Sequence, residues 1–265
     1  MDFTKTELKA MKQSIKLAGL IILITIALSV LLSSCSDGDD PMLARVEVKM
    51  KATTSNATIQ KSARTAGNEL IFREVLLGVT ELELEKLDDD DDNENDSSDD
   101  NDNGDDDDDE IEFEGNFVVD LIEATSNPDF GIANIAPGLY EEIELEMSPI
   151  LEGGNTIFVV IEYLPDGASE PFIIEYSNKE ELEIEFERDS GFRLDEGSLN
   201  QMLVLLDLDL LFEGIDFSAA DADTDGTIRI NANSNSGLAS KIEANLERAL
   251  EAGEDEDGDD DIDDD

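Results

Sequence analysis

The sequence predicts an all-β fold, an antiparallel β-sandwich of the prealbumin or immunoglobulin-like kind, and three observations carry that expectation. Apolar and charged residues alternate with period two through several stretches, which sends alternate side chains to opposite faces of a strand. Seven or so short runs of this kind recur between turn-forming clusters, at the spacing of a sandwich. Once the N-terminal signal and the acidic runs are set aside the chain leaves one domain of about 180 residues, long enough to bury a real core.

The elements follow in order. Ala44, Val46, Val48 and Met50 alternate with Arg45, Glu47, Lys49 and Lys51. Ile143, Leu145 and Met147 alternate with Glu142, Glu144 and Glu146, and Leu182, Ile184 and Phe186 do so with Glu181, Glu183, Glu185 and Glu187. Each reads as a strand with one dry face and one wet face. Residues 70–87, 111–122, 156–163, 171–176 and 227–231 supply further strands. Pro137-Gly138, Gly153-Gly154-Asn155 and Pro165-Asp166-Gly167 provide turn chemistry between them. Residues 198–212 are almost continuously apolar, broken by Asp207 and Asp209; they read as a buried strand, with a helix as the alternative. From Ser236 onward Leu238, Ile242, Leu246 and Leu250 fall at steps of four, the stripe of one C-terminal amphipathic helix that Gly253 would end.

Acid concentrates in two runs, 16 of the 23 residues in 88–110 and 10 of the 12 in 254–265. The first falls between two expected strands, so it reads as a disordered insertion inside the domain; the second reads as a disordered tail. The predicted organisation is therefore a signal at 1–34, an acidic tether at 35–41, one sandwich domain at 42–253 and the tail at 254–265. The net charge of −52 excludes nucleic acid as a partner, because phosphate would be repelled.

The N-terminus has the layout of a secretory signal: Lys5, Lys9, Lys12 and Lys16, an apolar run over 17–32, then Ser33-Ser34 before Cys35. The run is 16 residues, short of the roughly 18–20 needed to span a bilayer. Met1 and Met11 both suit its start. Leu32-Ser33-Ser34-Cys35 resembles the lipobox of bacterial lipoproteins, which implies cleavage before Cys35 and lipidation of its thiol. Cys35 is the single cysteine, so it has no disulfide partner in the chain. The following Ser36, Asp37, Gly38, Asp39 and Asp40 resemble the acidic surface-export tract of Bacteroidetes-type lipoproteins. That resemblance implies a protein held by its lipid in the outer membrane and exposed at the cell surface, with a periplasm-facing protein on a solvated acidic tether as the alternative.

Catalytic constellations are not legible. The chain has no histidine to act as base, and no nucleophile elbow or phosphate-cradling glycine loop. Paired carboxylates could in principle hydrolyse a glycoside, but among 69 acids such pairs arise by chance, so the expectation is no enzyme. The sharpest motif is Asp221-Ala222-Asp223-Thr224-Asp225-Gly226-Thr227. Acids at positions 1, 3 and 5 with glycine at 6 let a short loop wrap calcium, and the Thr227 carbonyl could join. This resembles the first half of an EF-hand or dockerin loop, but position 12 is Ala232, which offers no carboxylate. An acidic turn is the alternative. No other cofactor is expected.

Asn116-Phe117-Val118-Val119-Asp120-Leu121, Ile135-Ala136-Pro137-Gly138-Leu139-Tyr140 and the Glu-alternating strand that follows resemble a domain of unknown function found in Bacteroidetes-type surface lipoproteins. The resemblance spans residues 42–217 and implies a β-sandwich on a lipid tether without a known activity. The expected function is thus a non-enzymatic, lipid-anchored surface lipoprotein that binds or displays, with an unidentified glycan or protein as ligand. A calcium-dependent adhesive or glycan-binding module is the first rival, and a carboxylate-based glycan hydrolase the second.

Overall fold

The structure, a computed structural model, describes residues 43–55, 58–59, 70–87, 110–165, 169–255 and 257–263. The export signal, Cys35, Ser36, Asp37, Asp39, Asp40 and the insertion at 88–109 lie outside the described residues. No helix among the described residues is long and apolar enough to cross a membrane.

Among the described residues fourteen strands form two sheets around one hydrophobic core. The axis of the larger, ten-stranded sheet is β3 (Leu70–Lys86), whose 17 residues are long enough to serve more than one partner on each edge. One edge takes β4 (Glu110–Glu112) and then β5 (Phe117–Asp120); the other takes β8 (Gly138–Met147) and then β9 (Ile157–Tyr163), all antiparallel. Beyond them β11 (Leu182–Leu194) pairs with β8, and β10 (Phe172–Asn178) with β9. The short strands β2 (Thr58–Ile59), β6 (Thr125–Asn127) and β13 (Ile228–Ile230) pair with β3, β5 and β10. The smaller sheet runs β14 (Leu250–Glu254), β12 (Leu199–Asp207), β1 (Ala44–Thr53), β7 (Ile132–Ile135).

The alternation read from the sequence sets which face is dry. In β1 Ala44, Val46, Val48 and Met50 are buried, and in β8 Ile143, Leu145 and Met147 are, with the charged residues between them turned outward. Because Glu85 pairs with Glu110 across β3 and β4, the acidic insertion joins two antiparallel neighbours and belongs inside the domain. The Pro-Gly-x-Tyr turn also has a physical role: the buried Tyr140 hydroxyl donates to the Ala136 carbonyl at 2.9 Å and ties the start of β8 to the turn that precedes it. Asp120 plays a similar part at the end of β5, accepting the amides of Ile122 (3.0 Å) and Glu123 (3.1 Å).

Several expectations are corrected. Pairing is mixed: β1 with β12, β10 with β13 and β2 with β3 are parallel, because long crossovers bring these strands together where hairpins would give antiparallel neighbours. The run 111–122 divides, since the Phe117 ring folds back over Gly115 and leaves no room there for a Cβ. Residues 198–212 are a strand only as far as Asp207, followed by α1 (Leu208–Leu211). The two acids that seemed to alternate with leucines are local anchors. Asp207 caps α1 through the amides of Asp209 (2.7 Å) and Leu210 (3.1 Å), and Asp209 accepts from Thr54 Oγ1 (2.8 Å) and the Ser55 amide (2.7 Å).

The amphipathic helix is α2 (Ser236–Ala249), burying Ala239, Ile242, Leu246 and Ala249. Leu250 is not its last stripe residue, and Gly253 does not end it. The chain turns directly into β14, where Leu250 pairs with Leu206, because the free edge of β12 offers a ladder to the backbone. The tail differs too: the described residues 257–263 form hydrogen-bonded turns against β14 and are not a free acidic end.

Candidate functional site

The most organised array of chemistry-bearing groups lies on the outward face of β3, β8 and β11. In register, Glu81 stands beside Glu146 and Glu146 beside Glu183. The next row is Glu83, Glu144 and Glu185, and the third Glu85, Glu142 and Glu187. Nine glutamates thus form a three-by-three grid, with rows about 6.8 Å apart along a strand and columns about 4.8 Å apart across strands. Glu112 and Glu114 extend it beyond β3. The opposite face carries the matching apolar grid, Leu82, Leu145 and Ile184 above Leu84, Ile143 and Phe186. The acids hold their positions because burial on the other side fixes the register; a slip of one residue would drive glutamates into the core.

Partial burial and like charges directly opposite one another both disfavour ionisation, and three acids of the grid are shifted accordingly. Glu144 is raised above its ordinary value of 4.5, first by desolvation and then by Glu183, Glu146, Glu142 and Glu185. Glu142 is raised by desolvation and by Glu185, Glu85, Glu187 and Glu141, and Glu81 by desolvation and by Glu146, Glu112, Glu114 and Glu144. Carboxylate oxygens converge to within 4.8 Å in three places on this face: Glu81, Glu112 and Glu114; Glu142, Glu144 and Glu185; Glu144, Glu146 and Glu183. Such a surface concentrates counter-cations electrostatically.

The sequence motif at 221–227 is used differently. Its acids are not among the described groups whose carboxylates converge in this way; the fourth is Asp255, Asp257 and Asp259. Arg229, on β13, donates from Nη1 to Asp223 at 2.7 Å, from Nη2 to Asp225 at 3.0 Å, and from Nε to Glu175 at 3.0 Å. The guanidinium, helped by the Thr227 amide, holds the Asp225 carboxyl down to about 2. Asn235, the left-handed residue that opens α2, closes the loop: its Oδ1 accepts the Asp221 amide at 2.9 Å, and its Nδ2 donates to the Asp221 (2.9 Å) and Arg229 (2.7 Å) carbonyls. Thr227 turns its carbonyl to the Asp223 amide at 2.8 Å. Two of the three carboxylates that calcium would need are therefore committed to an internal cation. Arg229 stands four positions after Asp225, within reach of its carboxylate, and is the sequence signal for this pairing.

Titration calorimetry checks the consequence. Calcium is expected to give the same heat with the native chain and with an Asp221/Asp223/Asp225→Asn triple variant. A difference amounting to one saturable site would restore the calcium loop.

Fold and array together define an all-β sandwich with a strongly polyanionic face. No family model matches the chain, and neither a curated protein nor a solved structure matches it.

Proposed function

We propose that the protein is a non-enzymatic lipoprotein, anchored through Cys35 in the outer membrane and exposed at the cell surface, which displays a polyanionic β-sandwich for binding. The observation that carries this reading is the in-register glutamate grid on a well-packed sheet. A flat carboxylate surface suits display and cation-mediated contact, whereas glycoside hydrolysis needs two acids facing each other across a cleft. The anchor part rests on the basic, apolar and small-residue zones that precede Cys35 and on the acidic residues Ser36-Asp37-Gly38-Asp39-Asp40 after it.

Metabolic labelling with a palmitate analogue tests the anchor. Label is expected on the native protein and absent from Cys35→Ala. Persistent label on the variant, or a native protein with residues 1–34 still attached, would refute it.

A further inference from the structure

The described tail lies back across the outward face of the smaller sheet. Lys49, Leu203 and Gly253 are register neighbours on β1, β12 and β14, and the buried Val48, Met50, Met202 and Val204 beside them point inward. Leu203 therefore faces outward, yet its exposure is 0%. The tail covers it. Ile262 lies so close over Gly253 that a Cβ there would collide with it. On the other side of Leu203, Asp260 accepts Lys49 Nζ on its carboxylate and Lys51 Nζ on its carbonyl. The Asp263 amide donates to the Glu254 carbonyl at 2.9 Å, and the Asp263 carbonyl accepts from Arg188 Nη2 at 3.3 Å. At the near end the buried Asp255 sets the turn, accepting the amides of Gly258 (2.8 Å), Asp259 (3.1 Å) and Asp260 (3.2 Å) and Gln201 Nε2 (2.7 Å).

We propose that residues 257–263 are an ionic strap, a cover over Leu203 that opens with salt while the sandwich beneath stays folded. In a chain with 69 acids and 17 bases, two lysines stand where an acidic segment must pass, so charge complementarity selects the seat. The latch is weak by construction. Its ion pair is partly exposed, 32% at Lys49 and 42% at Asp260, and such pairs are screened by salt. One backbone bond from the Asp263 amide is the strap's ladder contact with β14, whereas β1 and β12 are paired over nine residues. The strap's own aspartates repel one another. These properties place its opening at the low end of the molecule's local stabilities. Open, it uncovers an aliphatic side chain flanked by two cations, a surface unlike the rest of this acidic protein.

Hydrogen exchange of the full chain, read by mass spectrometry over 257–263, tests this. In low salt these amides are expected to be protected, and Lys49→Gln/Lys51→Gln to exchange about tenfold faster there, the size expected from losing two partly exposed latch contacts. Amides shared by β1 and β12 should not change. The native chain should show the same acceleration in about 0.5 M sodium chloride, where the Debye length falls to roughly 4 Å. An unprotected tail in low salt, exchange indifferent to salt, or acceleration only in step with β1 and β12 would overturn the proposal; the salt series decides it even if the double variant does not fold.

Discussion

Replacing Glu83, Glu144 and Glu185 together with glutamine is expected to stabilise the protein at neutral pH and low salt, by about 1–3 kcal/mol. Opposed like charges on neighbouring strands each cost about 0.2–1 kcal/mol, discounted here because the side chains are only half-buried or exposed and water screens them. The middle row is the place to act, since Glu144 has a charged neighbour on every side. The pH dependence follows in sign. Glu81, Glu142 and Glu144 have folded values raised above the ordinary 4.5, so the folded state takes up protons first as pH falls. Their repulsion is relieved below that value and is fully felt above the raised one. Stability should therefore rise as pH falls through these raised values toward 4.5. Asp216, Asp225 and Asp260 are shifted the other way, by the Ser218 hydroxyl and amide, by Arg229 and by Lys49, and their contributions are lost as pH falls below about 3.8 toward 2. A stability maximum in mildly acidic solution is the combined expectation. Urea denaturation of the native chain and the triple variant at pH 7 and about pH 4.5 checks it. A variant no more stable at pH 7, or a gain that persists undiminished at the lower pH, would show that repulsion in the grid is not what limits the native protein.

The grid was legible in the sequence as alternation, one strand at a time. Glu142, Glu144 and Glu146 declare a wet face on β8 as plainly as Ile143, Leu145 and Met147 declare a dry one. What alternation does not contain is which strands are neighbours. The convergence of three glutamate rows depends on β3 pairing with β8 and β8 with β11, and the parallel pairing of β1 with β12 depends on a crossover that no local pattern encodes. The remaining differences come from particular hydrogen-bond and ion-pair partners, some distant and some only a few residues away, that a periodic pattern does not name. Leu250 continues the helical stripe of Leu238, Ile242 and Leu246 only on paper, because the edge of β12 gives its backbone a better ladder. Asp207 and Asp209 read as strand alternation until their carboxylates are seen capping α1 and holding Thr54 and Ser55. Asp223 and Asp225 have a calcium-like spacing, and both carboxylates pair with Arg229. In the tail, charge density alone argued for a solvated end, and Lys49, Lys51 and Gly253 supply the seat that this density hides.

Gly78 is where the larger sheet has least tolerance, and Gly78→Ala is expected to cost about 2–3 kcal/mol through overpacking. At this residue one edge of β3 changes partner from β9 to β8. The Gly78 amide donates to the Thr156 carbonyl at 2.8 Å, and its carbonyl accepts the Ser148 amide at 2.8 Å. The connection between those partners, residues 148–156, leaves the sheet and returns at one point, pressing its backbone across the glycine. A Cβ on Gly78 would lie 2.6 Å from the Ser148 carbonyl oxygen and 2.7 Å from Ile150 Cγ1. The Ser148 oxygen cannot withdraw cheaply, since the amide of the same residue is held by Gly78 itself. Gly154, in the same connection, is the useful control. It has a left-handed backbone, φ +67°, but nothing within 4 Å of an added Cβ, so alanine there meets only conformational strain of about 1 kcal/mol. Chemical denaturation of the two variants separates crowding from strain. If Gly154→Ala proves the more destabilising, the close passage of 148–150 over β3 is not what demands a glycine at position 78.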